Sequence, residues 1–140
     1  MDFIFIPPSR LGEIQFGMSR STARKVMNCE FREFKKTEHS RNTTDSFRSA
    51  GVHIFYDENN TVKGVEVFPP SQVFYSNNPI IGTNIKTLID SFKLLGIVTT
   101  VESSFCSICD NKLRFGASNS GDGPPGKIDS VYAVLEHGDR

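Results

Sequence analysis

Val52-His53-Ile54-Phe55-Tyr56, then Asp57-Glu58-Asn59-Asn60, then Thr61-Val62-Lys63-Gly64-Val65-Glu66-Val67-Phe68 is the stretch that decides the fold. Two runs of β-branched and aromatic residues flank four turn formers, which is the pattern of a β-hairpin. Gly64 inside the second run points to a bulge or to a close approach of another group. Pro69-Pro70 stops the strand, because proline has no amide to give to a ladder.

Working outward toward the C-terminus, Ile85, Leu88, Ile89, Phe92 and Leu95 recur at i, i+3, i+4, i+7 and i+10, one stripe of an amphipathic helix. Thr83 is its expected N-cap and Gly96 its expected C′ residue. Residues 97–101 read as a strand, and residues 105–109 and 113–115 as a second hairpin about Asp110-Asn111. A Gly/Pro/Ser loop over 118–126 leads to a last strand over 128–135. Toward the N-terminus, Ile14-Gln15-Phe16 reads as a short strand. Ser19 is placed to cap a short helix carrying Ala23, Val26 and Met27, with Met18 as a staple and Asn28 as its left-handed end. Phe31 and Phe34 are expected on a short strand.

The two halves resemble each other. Phe16-Gly17-Met18-Ser19 matches Ile81-Gly82-Thr83, and Val62-x-x-Val65-x-Val67 matches Ile128-x-x-Val131-x-Ala133. One helix with three strands cannot bury its own apolar face, whereas two such units can share a sheet. The expectation is one α+β domain over 1–140, mainly antiparallel, with two short helices on one face and tandem repeats over 11–69 and 80–136. The opposite sheet face is then free for water or a partner.

This pattern resembles the helix-plus-strands unit of the β-lactamase-inhibitor-protein fold, which has two units in tandem. The Gly-Met-Ser helix start also resembles that of the small lipoproteins that help assemble outer-membrane proteins. The chain departs from both, having neither a lipoprotein cysteine near its start nor the paired half-cystines of the secreted inhibitor. What the resemblance implies is a protein-binding scaffold.

Composition narrows the rest. Formal net charge is zero over 140 residues, so the electrostatic signature of a dedicated nucleic-acid binder is missing. The charge is uneven: Arg20, Arg24, Lys25, Arg32, Lys35, Lys36, Arg41 and Arg48 share residues 20–48 with only Glu30, Glu33, Glu38 and Asp45. Those interspersed acids weaken any stacking-and-charge surface built on Phe31 and Phe34. No run approaches the ~20 apolar residues of a membrane span. The opening Met1-Asp2-Phe3-Ile4-Phe5-Ile6-Pro7-Pro8 carries an acid where a signal peptide carries a base. With three cysteines, Cys29, Cys106 and Cys109, a disulfide framework is not expected, and a reducing cytoplasm is the expected compartment.

Chemistry-bearing motifs are few. Cys106-Ser107-Ile108-Cys109 is a C-x-x-C, but Cys29, His39, His53 and His137 do not supply the second ligand pair of a structural zinc site. A redox C-x-x-C opens a helix, whose terminus lowers the thiol pKa, and this one sits on a strand. One thiol is expected in the core and the other at the hairpin end. His53 has no marked nucleophile to serve as base. The loop over 118–126 lacks the Lys-Ser/Thr of a phosphate loop and reads as a hairpin tip or a recognition loop. No cofactor or metal is implied.

The reading favours a cytoplasmic protein-binding module. By the resemblance it is an immunity or inhibitor protein that neutralises a cognate bacterial toxin by steric occlusion, with no nucleic acid and no membrane as partner. Expected partner contacts are Asp57 and Glu58 on the hairpin tip, Asp122 in the glycine-rich loop, and the aromatic pair Phe74 and Tyr75. The alternatives are a small enzyme or metal or redox protein using Cys106 and Cys109, and an adaptor subunit of a larger assembly.

Overall fold

The computed structural model describes residues 1–117 and 126–138. In chain order, β1 (Asp2–Ile6), β2 (Arg10–Leu11) and β3 (Ile14–Gln15) precede helix α1 (Arg20–Met27). Then come β4 (Arg32–Phe34), β5 (Thr44–Phe47), β6 (Val52–Tyr56) and β7 (Val62–Val67). The short strands β8 (Gln72–Tyr75) and β9 (Asn78–Pro79) lead to helix α2 (Ile85–Leu94). The chain closes with β10 (Thr100–Val101), β11 (Cys106–Ile108), β12 (Leu113–Gly116) and β13 (Ser130–Val134). This is the expected α+β architecture, built mostly from antiparallel pairs.

The main sheet has eight strands in the order β10-β11-β12-β13-β7-β6-β5-β4. The last strand of each half therefore lies at the centre, and β13 pairs with β7 antiparallel. Val67 faces Val131 and Val65 faces Ala133, with Glu66 opposite Tyr132 between them. Matching hydrogen bonds tie each helix start to the beginning of its half's central strand and the residues just before it. Gly17 and Gly82 donate to the carbonyls of Val62 and Ile128 at 2.9 and 2.7 Å. Val62 and Ile128 donate back to Met18 and Thr83, and Arg20 and Ile85 donate to Asn60 and Gly126. Gly17 and Gly82 both have positive φ, +79° and +85°, which glycine adopts without steric cost.

The β6–β7 hairpin forms as read, with an irregularity in register between Phe55 and Tyr56. Asp57 makes its turn: the carboxylate accepts from the amides of Asn59 and Thr61 at 2.8 and 3.1 Å and from the Thr61 hydroxyl at 2.6 Å. Ser19 caps α1 by accepting from the Thr22 amide, and Asn28 ends it at φ +50°. At α2 the N-cap is Asn84 rather than Thr83, its side chain accepting from Lys86 and Thr87. The Thr83 hydroxyl instead donates to the Pro79 carbonyl. Gly96 has positive φ, and Ile97 donates to the Phe92 carbonyl, the hydrogen-bond pattern of a Schellman end. Leu95, read as part of the buried stripe, is exposed, because the chain turns away there. The strand read over 97–101 is confined to Thr100–Val101.

A single continuous sheet was the expectation, and the structure has two. The second has the order β3-β2-β1-β8-β9, with β1 and β8 parallel. Phe3, Phe5 and Val73 point into the core from this sheet. A row of rings ties the layers together. Phe5 meets Tyr75 at 6.0 Å, Tyr75 meets Phe92 of α2 at 6.1 Å, and Phe92 meets Phe115 of β12 at 6.4 Å. Phe47, Phe92 and Phe115 are fully buried, and each such ring contributes about 1.5–3 kcal/mol relative to exposure.

Helix α1 is fixed by charge as well as packing. Asp45, wholly buried in β5, accepts from Arg24 Nε and Arg24 Nη2, both at 2.8 Å, and from the Tyr56 hydroxyl at 2.8 Å. Arg20 lies 4.1 Å over the Tyr56 ring and donates to Glu33, the Thr43 hydroxyl and carbonyl, and Asn42. The Asp45 hydrogen bond, with Glu33 adding, raises the Arg24 pKa, and burial with the Asp45 bond raises that of Tyr56.

Candidate functional site: the open face of the main sheet

Side chains alternate across the main sheet. Ile54, Val65, Ala133 and Leu113 face the core. The next row across faces outward: Ser46, His53, Glu66, Tyr132 and Arg114 are successive cross-strand neighbours. Glu66, Tyr132 and Arg114 of this row, with the ring of Phe55, form the floor of an open groove of about 1100 Å³. One wall comes from residues 39–42 and the β6–β7 turn, the other from Ser104 and Phe105.

Aromatic rings on the floor carry cations above them. Phe55 and Tyr132 stand 5.5 Å apart. Lys36 Nζ lies 4.7 Å from the Phe55 ring and 5.8 Å from that of Tyr132. Arg114 lies on Tyr132 at 5.9 Å and on Phe105 at 5.6 Å. Gly64 makes this arrangement possible: a Cβ there would stand 2.6 Å from the Tyr132 hydroxyl. The close approach read from Gly64 is therefore the approach of Tyr132. Burial raises the Tyr132 pKa, with Arg114 opposing and Glu66 adding to the shift.

Two of the groove's three acids are engaged. Asp57 is held in its turn, which keeps its pKa below the usual carboxylate value, the Thr61 hydroxyl being the main cause. Glu58 pairs with Arg41 at the rim. Glu66 lies 3.4 Å from His53 Nδ1. Among the described residues, Lys36, Lys63 and Arg114 have no carboxylate within salt-bridge distance.

Of the expected contacts, Asp57 and Glu58 line this groove. Phe74 and Tyr75 lie on β8 in the second sheet, so they are not brought to Asp57 and Glu58. Tyr75 is half-buried, packed on Phe5 and Phe92. Asp122 and most of the glycine-rich loop lie outside the described residues. Sequence reading missed Lys36, Phe55, Tyr132 and Arg114 as a group, because four different segments supply them. The signal was there in part: alternation along β6, β12 and β13 assigns Phe55, Arg114 and Tyr132 to the face opposite the core.

The C-x-x-C sits as read, Cys106 buried on β11 and Cys109 half-buried in the following turn. Burial pushes both thiols up, so each holds its proton more tightly than a free cysteine. The hydrogen bond with Cys109, with burial adding, raises the Tyr75 pKa to about 12. His53 is boxed by Phe34 and Phe68, each at 5.1 Å, and by Phe55. Among the described residues no cluster of three or more His, Cys, Asp or Glu is arranged to hold a metal ion. No helix among them is long and apolar enough to cross a membrane.

Comparison with known proteins finds no match: no family model, no curated protein and no solved structure is significantly similar to this chain.

Proposed function

We propose that this chain is a cytoplasmic protein-binding module of the immunity or inhibitor type, built from two copies of one helix-plus-strands unit. Its open sheet face receives a partner protein and blocks the partner's working surface sterically. A bacterial toxin is the class of partner that the resemblance to tandem inhibitor scaffolds implies. The observation that carries this reading is the groove on the main sheet, where partly buried rings meet cations that have no acidic partner within salt-bridge distance among the described residues. Aromatic and cationic side chains make good anchors for a protein interface. Catalysis through Cys106 or Cys109 is less favoured, because burial disfavours both thiolates.

The test is capture of the tagged protein from its native cells, followed by titration of the recovered partner's own activity with purified protein. The expected result is one partner whose activity is lost completely at equimolar protein. A partner that stays fully active when saturated, or no partner at all, removes the reading.

A further inference from the structure

We infer that the groove accepts an acidic segment of the partner protein, its carboxylates bonding Lys36, Lys63 and Arg114 while its apolar atoms rest on the half-buried rings of Tyr132 and Phe105. This rests on the binding reading above and assigns the chemistry of the segment bound.

Three observations converge. First, the chain is neutral overall, yet these three cations line one groove without an ion-pair partner among the described residues. Second, two of the three are pre-positioned. Lys36 rests over Phe55 and Tyr132, and Arg114 over Tyr132 and Phe105, so part of the cost of ordering long side chains is met before binding. Third, two of the three acids that line the groove are already engaged. Asp57 is bonded within its turn, Glu58 is paired with Arg41, and Glu66 lies beside His53.

The same acids choose between anionic partners. A nucleic-acid strand carries a charge at every step and cannot keep its phosphates away from Glu58 and Glu66. A polypeptide can place a few carboxylates against separate cations and set uncharged side chains opposite the acids. Complementary charge of this kind governs register and encounter rate.

The probe is a fluorescein-labelled dodecapeptide of alternating glycine and glutamate, followed by anisotropy. The glycine–glutamine dodecapeptide and a thymidine dodecamer are the comparisons. The glutamate peptide is expected to bind, and to weaken as salt rises from about 20 to about 200 mM, since exposed pairs are screened. The double variant Lys36→Glu/Arg114→Glu is expected to weaken binding by about two- to thirtyfold, the usual range for two exposed pairs. Lys36→Gln/Arg114→Gln serves as the milder variant, and thermal melting of both checks folding. The inference is overturned if the glutamate peptide does not bind, if the glutamine peptide binds as well, or if the thymidine strand binds more tightly. Should the peptide fail while a captured partner still titrates one to one, the acidic segment is wrong and the binding module stands. If no partner is captured, the binding reading itself falls.

Discussion

Replacing Asp45 with alanine removes the anchor between α1 and the main sheet. The carboxylate is wholly buried and accepts three hydrogen bonds, two from Arg24 and one from Tyr56. Breaking a buried pair by deleting one partner costs about 3–5 kcal/mol, because the survivor keeps its charge without compensation. Arg24 retains Glu33 at 2.8 Å and is a quarter exposed, which moves the figure to the lower end. The orphaned Tyr56 hydroxyl adds part of a penalty of roughly 1–3 kcal/mol. The expected loss is therefore about 3 kcal/mol, out of the ~5–15 kcal/mol typical of a domain. At this size that lowers Tm by roughly 10 °C. Urea unfolding followed by tyrosine fluorescence reads it, since the chain has no tryptophan. The triple variant Arg24→Met/Asp45→Leu/Tyr56→Phe should recover most of the loss, because it leaves no buried group unpaired. If Asp45→Ala loses less than about 1 kcal/mol at an unchanged m-value, Asp45 is not buried among these partners and the reasoning fails.

Three further outcomes follow from the geometry. Gly64→Ala places a methyl against Tyr132, so an expected loss of about 1–3 kcal/mol in urea unfolding should come with a changed Tyr132 fluorescence; an unchanged stability argues against the close approach. The Asp57 pKa is lowered in the fold, so its contribution is full above the unfolded value of about 4 and is lost as pH falls through the folded value. Asp57→Asn should therefore flatten the acid limb of the stability profile, and an unaltered limb would contradict the turn bonding. The Tyr75 pKa is raised, so its contribution is full below the unfolded value of about 10 and is lost as pH rises toward about 12. Tyr75→Phe should remove that alkaline decline, read by circular dichroism across the window.

Much of the main sheet was legible because its determinants are local. The β6–β7 hairpin announces itself through two apolar runs and the residues Asp57 to Asn60. Helix α1 is bounded by Ser19 and Asn28. The Thr83 and Asn84 side chains are both competent caps, and in the fold Asn84 takes the free amides while the Thr83 hydroxyl bonds the Pro79 carbonyl. The second sheet was not legible for two reasons. Its β1–β8 pairing is parallel and joins residues about seventy apart, which no local turn signals. The outward residues of β1 are also apolar, Ile4 and Ile6, and they mask the alternation that Phe3 and Phe5 would otherwise reveal. The groove shows the same division. Asp57 and Glu58 could be named from their turn, whereas Lys36, Tyr132 and Arg114 meet only through strand order.

The most direct test of the open face as the binding surface is photo-crosslinking in native cells. p-Benzoylphenylalanine replaces Tyr132 on the groove floor in one variant and the exposed Lys93 of α2 in another. The expected result is a single partner joined through position 132 and absent through position 93. Equal yields at both positions, or a partner joined only through position 93, would contradict the account.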